Sequence, residues 1–201
     1  NGLRLVYSRQ VTVTNCDFRN AQYHGGGGNG YLYTFNGADC LIRDSHAERG
    51  RHNFDFQNMW CTGNVAFRNT TKNGTIPTDF HMFLSTANLL DSFTCDGDYL
   101  ESRYRPYAKP EHGESGSQNV FWNTNGLSYP PKRKWIVDSR QFGMGYVIGT
   151  RGPASGANKD TDDFLEHIGT GDQLTPQSLW IDQLDRRTGG KRAGTARLSQ
   201  P

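Results

Sequence analysis

The chain has 201 residues, enough for one domain with its own core, and only 34% of them are hydrophobic. Its net charge is +2, and its 11 Phe, 9 Tyr and 4 Trp argue against a chain that is disordered throughout. No apolar run approaches the ~20 residues needed to cross a bilayer, and no nucleic-acid-binding motif is present, so we expect neither a membrane span nor a nucleic-acid partner.

Residues 2–7 have the pattern of a segment inside a larger structure, which predicts that the chain is the C-terminal part of a longer protein. Four cysteines follow along the chain, Cys16, Cys40, Cys61 and Cys95, and none of them forms a CxxC pair. We expect at least two to be small buried core residues. Their even number also permits disulfides, with three pairings open.

Six segments share one pattern, in which an apolar residue is followed by any residue, by Asn or Asp, and by Cys, Ser or Thr. The Asn and Asp residues of these segments are Asn15, Asp44, Asn69, Asp91, Asn123 and Asp138. They are 29, 25, 22, 32 and 15 residues apart, and all intervals but the last centre on the length of one solenoid coil. The repeat predicts an all-β parallel β-helix with stacked inward apolar residues and Asn ladders at its turns. The acidic members of this column are therefore expected to be structural.

Two stretches lengthen the repeat. The glycine run 25–30 lacks the strand, helix and Lys-Ser/Thr of a phosphate-binding loop, so we expect a flexible loop there. The segment Asp96–His112 is expected to be an insertion that the coils do not require, and it holds the densest mixture of charged and aromatic residues. We therefore expect the functional site in that insertion.

The C-terminal part is expected to close the stack of coils. Residues 1–150 are predicted to form the coils, and residues 151–201 a loop, a short helix and a basic tail. Thr175 is the predicted N-cap of a helix over 175–187, with Pro176 in its first turn, and Gly189-Gly190 is its predicted end. Five basic and no acidic residues follow Asp185, which is typical of a solvated terminus.

With these residues in view, the chain resembles the C-terminal part of secreted right-handed parallel β-helix proteins of the pectate-lyase-like superfamily. The resemblance rests on the spaced units through Ser139, and on the closing segments 145–150 and 176–180. It implies an extracellular or cell-surface protein whose partner is a polysaccharide. The superfamily includes lyases on uronate polymers, glycoside hydrolases and non-catalytic adhesins and tailspikes, and the fold does not choose among them.

A lyase must neutralise a uronate carboxylate, remove the neighbouring proton and release the glycosidic oxygen. The cationic and aromatic insertion favours this chemistry on an acidic polysaccharide. The predicted catalytic residues are Arg105, Lys109, His112 and His81. The predicted substrate-binding residues are Arg103, Tyr104, Tyr107 and Trp60.

Other functions remain open. A hydrolase would use two carboxylates, drawn from Asp79, Asp96, Asp98, Glu101 and Glu111. A non-catalytic scaffold, or a binding module of a larger enzyme, would use aromatic side chains as sugar platforms, with Tyr99 and Trp122 added to those above. No metal or other cofactor is expected. The spacing of Asp96, Asp98 and Glu101 suits oxygen ligands of Ca²⁺, but the rest of a calcium loop is missing. The sequence does not indicate an oligomeric state.

Overall fold

A computed structural model describes residues 1–108 and 112–189. This part of the chain is mostly β-strand, arranged in parallel sheets. The strands are, in chain order, β1 (Leu3–Arg9), β2 (Thr12–Thr14), β3 (Asp17–Arg19), β4 (Tyr31–Ala38), β5 (Leu41–Arg43), β6 (His46–Glu48), β7 (His52–Phe56), β8 (Val65–Phe67), β9 (Thr70–Lys72), β10 (Thr78–Phe80), β11 (Ser85–Thr86), β12 (Leu89–Asp91), β13 (Thr94–Asp96), β14 (Leu100–Ser102), β15 (Tyr104–Arg105), β16 (Gly113–Glu114), β17 (Gly116–Ser117), β18 (Val120–Ser128), β19 (Val137–Ser139), β20 (Tyr146–Arg151) and β21 (Phe164–Glu166). A 3-10 turn (Gly171–Gln173) and helix α1 (Leu179–Thr188) follow.

The strands pair in three parallel stacks. The first sheet has the order β1-β4-β7-β10-β14-β19. Two further stacks, β2-β5-β8-β12 and β3-β6-β9-β13, are joined because the two halves of the long strand β18 pair with β12 and with β13. Successive strands of the chain thus visit the three stacks in turn. Parallel pairing continues past residue 150, where β20 pairs with β21.

The core lies between these stacks and contains aromatic side chains placed one above another. The rings of Phe35, Phe56 and Phe80, from neighbouring strands, stack at centroid distances of 4.5 Å. Tyr33 and Phe54 stack in the same way at 4.6 Å. Because parallel strands in register lie about 4.8 Å apart, equivalent inward side chains contact along the stack. The predicted stacking of inward apolar residues is confirmed.

One turn of the repeat uses left-handed backbone angles at every level. The residues that follow β2, β5, β8, β12 and the Val120–Trp122 part of β18 have φ between 48° and 56°: Asn15, Asp44, Arg68, Ser92 and Asn123. The predicted column is therefore right for its first, second and fifth members. The left-handed position is wrong by one residue for Asn69 and Asp91, although the Asn69 side chain does accept a hydrogen bond from the Ser45 N–H one level away; Asp138 belongs to the first sheet instead.

A ladder of side-chain amides forms at a different turn from the predicted column. The side-chain oxygens of Asn64, Asn88, Asn119 and Gln141 each accept a hydrogen bond from a backbone N–H one level away, at 2.9–3.1 Å. All four side chains are buried. Each amide thereby satisfies a backbone group that the turn leaves without a strand partner.

The predicted insertion is shorter than its sequence suggested. Leu100–Ser102 forms β14, which pairs with β10 and β19, so the expectation that all of 96–112 lies outside the coils is wrong for this part. The extra residues begin at Arg103. They form an antiparallel hairpin of β15 and β16, whereas every other pairing of named strands is parallel in the described chain.

Helix α1 begins later than predicted. Ser178, not Thr175, is its N-cap, and its hydroxyl accepts a hydrogen bond from the N–H of Ile181. Asp91 fixes this start, because its carboxylate accepts hydrogen bonds from the Ser178 hydroxyl at 2.8 Å and the Trp180 N–H at 2.7 Å. The predicted end at Gly189 is confirmed by its left-handed φ of 61°. Most of the basic tail, 190–201, lies outside the described residues.

Two sequence expectations concern the cysteines and the membrane. Cys40, Cys61 and Cys95 are buried in the core and Cys16 is partly buried; all four are free thiols, as the burial prediction required. Within the described residues, α1 is the one α-helix, and it is too short and too polar to cross a bilayer.

Candidate functional site

A cavity of about 650 Å³ lies against the first sheet. Tyr31 at the start of β4, His81 after β10 and Glu101 in β14 form its floor, and Arg105 of the hairpin joins them. Glycines 26–28 and the hairpin residues Tyr107, Ala108 and His112 also line it. The glycine run, predicted as a flexible loop, thus borders the cavity. The volume is within the ~300–1,000 Å³ typical of small-molecule sites.

A row of carboxylates crosses the strands beneath this cavity. Asp55, Asp79, Glu101 and Asp138 occupy paired positions on β7, β10, β14 and β19. All four are buried, with exposures of 2% or less. Buried like charges on adjacent strands disfavour one another's ionised forms unless nearby cations compensate them.

Asp79 is held in its ionised form. Burial raises the pKa of Asp79, but the charges of His52, Arg105 and His81 outweigh that effect, so its pKa lies well below the ordinary value. Arg105 donates to Oδ2 of Asp79 and also to the backbone oxygen of His81, at 3.3 Å. Nδ1 of His52 lies 3.1 Å from Oδ1 of Asp79. The same contact raises the pKa of His52 against the effect of burial.

The pKa values of Asp55 and Glu101 shift in the opposite direction, upward. Burial raises the pKa of Asp55 to about 7, although the Thr34 hydroxyl donates a hydrogen bond to it at 2.6 Å. Burial also raises the pKa of Glu101, against the opposing charge of Arg103. Glu101 accepts a hydrogen bond from the Tyr99 hydroxyl at 3.2 Å.

Asp79 is the first member of a hydrogen-bonded chain that reaches the cavity. Its Oδ2 lies 3.3 Å from Nδ1 of His81, and Nε2 of His81 lies 3.2 Å from the hydroxyl of Tyr31. We assign the proton to Nδ1 of His81 because the ionised carboxylate accepts it, which leaves Nε2 to accept the Tyr31 hydroxyl. Arg51 donates to the same hydroxyl at 2.8 Å. Burial raises the pKa of Tyr31 to about 12, so the phenol is protonated at neutral pH.

Two cationic side chains of the cavity wall have no carboxylate partner in the described part of the chain, Arg51 and Arg133. The guanidinium carbon of Arg133 lies 4.5 Å from the ring centre of Tyr99 and 5.4 Å from that of Trp135. These rings hold the guanidinium group in place without neutralising it. Both cations are therefore available to an anionic ligand.

The structure brings together most of the sequence-predicted site residues. Five of them line the cavity: His81, Arg103, Arg105, Tyr107 and His112. Arg103 pairs with Glu101 at 3.2 Å and donates to the Tyr107 hydroxyl at 2.9 Å. The ring of His112 lies 4.8 Å from that of His81.

Two described residues among the sequence-predicted site residues do not line this cavity. Tyr104 lines an adjoining one of about 510 Å³. Trp60, 55% exposed, lies in the segment after β7 with its ring edge-on to Tyr7 at 6.2 Å. Lys109 lies outside the described residues, as does Glu111. Trp122, an open candidate platform, is partly buried and donates to the backbone oxygen of Pro176.

Sequence reasoning missed Tyr31, Arg51 and Arg133 as site residues. Tyr31 and Arg51 each directly follow a glycine. Tyr31 is the first residue of β4, and Arg51 directly precedes β7. A polar or aromatic residue at that position of each coil was the available signal. Arg133 had none, because only the tertiary fold places it over Tyr99.

One group of side chains has the spacing of metal ligands. Atoms of His52, Asp79 and His81 lie within 4.8 Å of one another. Arg105 already donates to Asp79, and a second cation there would be repelled by that guanidinium group. The suggested Ca²⁺ carboxylates separate: Asp96 pairs with Lys72 and Asp98 with Thr71 and Asn53, while Glu101 lines the cavity. The geometry thus favours neither a metal ion at the group of His52, Asp79 and His81 nor the suggested Ca²⁺ site.

Comparisons of this chain with protein-family models, with curated proteins and with solved structures gave no match.

Proposed function

We propose that this chain is part of an extracellular parallel β-helix protein, related in fold to the pectate-lyase-like superfamily, that cleaves an acidic polysaccharide by β-elimination. Three parallel stacks visited in turn, stacked core rings and a buried amide ladder support the β-helix architecture. The observation that carries the activity is the Tyr31–His81 hydrogen bond beneath the two unpaired cations Arg51 and Arg133.

Substrate binding in this proposal begins with charge. A uronate carboxylate would lie between the guanidinium groups of Arg51 and Arg133, which neutralise it. Neutralisation acidifies the C–H bond next to the carboxylate, because the carbanion that develops there is stabilised as the aci form. The bidentate donor geometry of arginine suits a planar carboxylate.

His81 is the base in this mechanism. Its Nε2 takes the proton from the carbon next to the carboxylate, the bond to the glycosidic oxygen breaks, and a carbon–carbon double bond forms. Tyr31 gives its hydroxyl proton to the departing oxygen. A phenol with a pKa of about 12 is protonated at neutral pH and can act as this acid. The proton on His81 then returns to Tyr31 along their hydrogen bond, so the site is regenerated.

Asp79 and Arg105 have positioning roles in this mechanism. Asp79 holds the His81 tautomer and stabilises the imidazolium that forms, as the carboxylate of a triad does. Arg105, predicted as catalytic, donates to Asp79 and to the backbone oxygen of His81. Its side chain fixes the base.

A glycoside hydrolase is the second candidate. Asp55, Asp79 and Glu101 lie on adjacent strands, and their pKa values diverge as a hydrolase requires. However, among these three described carboxylates only Glu101 lines the cavity. A hydrolase needs both carboxyl groups at the sugar, so elimination is the better-supported chemistry.

The experiment is incubation of the protein with a panel of uronate polymers while the ultraviolet absorbance of the unsaturated product is followed. We expect Tyr31→Phe to lower the rate by roughly 100-fold or more, because it removes the proton donor. The matched control is Tyr146→Phe, which alters a tyrosine outside the cavity and should leave the rate unchanged.

Two results would contradict the proposal. Saturated reducing ends without an absorbance change would establish hydrolysis. Absence of product from every polymer by the wild-type protein, with circular dichroism showing it folded, would favour the scaffold or binding-module function.

A further inference from the structure

A second cavity, of about 510 Å³, adjoins the first. Arg103 and Tyr107 line both cavities, so the two cavities are neighbours on either side of these side chains. The Arg103 guanidinium donates to the Tyr107 hydroxyl at 2.9 Å and lies 5.3 Å from its ring centre. A polymer bound at the first cavity can therefore extend its next residue into the second.

The charge of the second cavity differs from that of the first. Glu114, Asp160 and Asp162 line it. Its two arginines are both engaged by other carboxylates, Arg103 with Glu101 and Arg140 with Asp138. Asp160 and Asp162 have no ion-pair partner among the described residues, so a second uronate here would meet like charge.

Exposed aromatic rings also line the second cavity. Phe142 is 71% exposed, Tyr107 58% and Tyr104 51%, and all three line this cavity. Sugar rings stack on such surfaces through their C–H faces. Burial and the nearby charge of Asp163 raise the pKa of Glu114 to about 7, so this carboxyl can donate as well as accept hydrogen bonds to sugar hydroxyls.

We propose that the second cavity binds an uncharged sugar residue, which makes the substrate a polymer in which uronate alternates with a neutral or N-acetylated sugar. This inference rests on the proposed function of the first cavity. The cationic cavity selects the uronate, and the acidic aromatic cavity selects its uncharged neighbour.

The test compares binding of two tetrasaccharides, one of alternating uronate and N-acetylhexosamine and one of uronate alone. Binding is measured by calorimetry on the Tyr31→Phe protein, which separates recognition from cleavage. We expect the alternating ligand to bind more tightly. Phe142→Ala should weaken its binding by roughly 5–10-fold, the loss of one aromatic contact, and leave the homopolymer unchanged. Phe164→Ala, an exposed phenylalanine that lines neither cavity, is the matched control.

A second variant tests the charge argument. Combined Asp160→Asn and Asp162→Asn substitutions should raise affinity for the homopolymer several-fold, because the repulsion of its second carboxylate is removed.

Equal binding of the two ligands, or no effect of Phe142→Ala on either, would overturn the inference. In that case, product formation by the wild-type protein would still support the proposed function. Selective binding that depends on Phe142, without cleavage by the wild type, would uphold the inference and reject elimination. No binding of either ligand would reject both.

Discussion

The buried carboxylate row shows how adjacent identical groups acquire different charges. Asp79 is ionised because the charges of His52, Arg105 and His81 outweigh its burial, whereas burial of Asp55 on the next strand outweighs the charges of His52 and Arg4. The Asp79 charge is one cause of the raised pKa of Asp55. The fold thus places a carboxyl that favours its proton beside one that does not.

Asp55→Asn is expected to stabilise the protein at pH 8. The folded-state pKa of about 7 exceeds the unfolded value near 3.8, so ionised Asp55 opposes folding above that range. Removing the charge should raise the free energy of unfolding by on the order of 2 kcal/mol at pH 8 and by little near pH 4. Urea unfolding at both pH values measures this. Asp172→Asn, at an exposed site, is the control, and an equal shift at both pH values would contradict the assignment.

Arg105→Met is expected to destabilise the protein and to impair any elimination activity. The substitution leaves the buried Asp79 with only His52 and His81 beside it, and breaking a buried ion pair by removing one partner costs about 3–5 kcal/mol. The double variant Arg105→Met with Asp79→Asn should recover a large part of this stability. Denaturant midpoints of the four proteins give the coupling. Simple additivity of the two losses would show that the pair is not an interacting unit.

At the scale of elements, the amide ladder joins four successive levels through one side chain at each. Asn88 both donates to the backbone oxygen of Cys61 and accepts from the backbone N–H of Asn64. Asn88→Ala would leave the buried Asn64 N–H without its acceptor, and it would remove one of the two hydrogen bonds that the Cys61 oxygen accepts, the other coming from the Thr86 N–H. We expect a loss of about 2–4 kcal/mol in unfolding free energy, measured by urea titration. Asn29→Ala, in the exposed glycine loop, should change it by less than about 0.5 kcal/mol. A comparable loss of unfolding free energy in Asn88→Ala and Asn29→Ala would mean that the ladder contributes no more to stability than an exposed loop residue.

The same elements show what sequence spacing can and cannot predict. A loose sequence pattern cannot decide between neighbouring residues such as Arg68 and Asn69. Strand pairing fixes which of the two takes the left-handed position of the turn. The predicted parallel stacking followed from the repeat length and the inward apolar residues. The ladder at Asn64, Asn88 and Asn119 was missed because its register is set by hydrogen bonds between levels.

For the candidate site, the sequence predicted the hairpin residues but not the residues they face. The local density of charge and aromatic side chains marked Arg103, Arg105 and Tyr107, and all three line the cavity. Tyr31 lies 50 residues before His81 in the chain and contacts it only because β4, β7 and β10 are neighbours. A contact between coils has no signature within one segment. The prediction of a site within a single insertion therefore identified one wall of a cavity whose other walls come from several levels of the stack.

At the scale of the whole molecule, buried acids on both sides of the first sheet set the pH dependence of stability. Asp98, in the interior beside Thr71 and Asn53, has its pKa raised to about 6 by burial, and Asp55 has a pKa of about 7. Both hold protons in the folded state that the unfolded chain releases near pH 4. The folded protein therefore binds more protons than the unfolded chain between about pH 4 and 7, and stability falls as pH rises through that window.

His52 and Asp79 give the other limits of this profile. The raised pKa of His52 adds stability below its unfolded value of 6.5, and this is lost as pH rises through the folded pKa. The depressed pKa of Asp79 adds stability above 3.8, and this is lost as pH falls further. The favourable contributions of His52 and Asp79 coincide with the smallest cost from Asp55 and Asp98 near pH 4.

We therefore expect maximal stability near pH 4, with a decline of a few kcal/mol by pH 8. Urea midpoints measured from pH 3 to 9 give the curve. Asp98→Asn should flatten the decline between about pH 4 and 6 in particular, because only there does the folded state hold the Asp98 proton that the unfolded chain has released. A stability maximum at or above pH 8, or an unchanged slope in Asp98→Asn, would mean that these buried carboxyls are ionised at no cost in the folded protein.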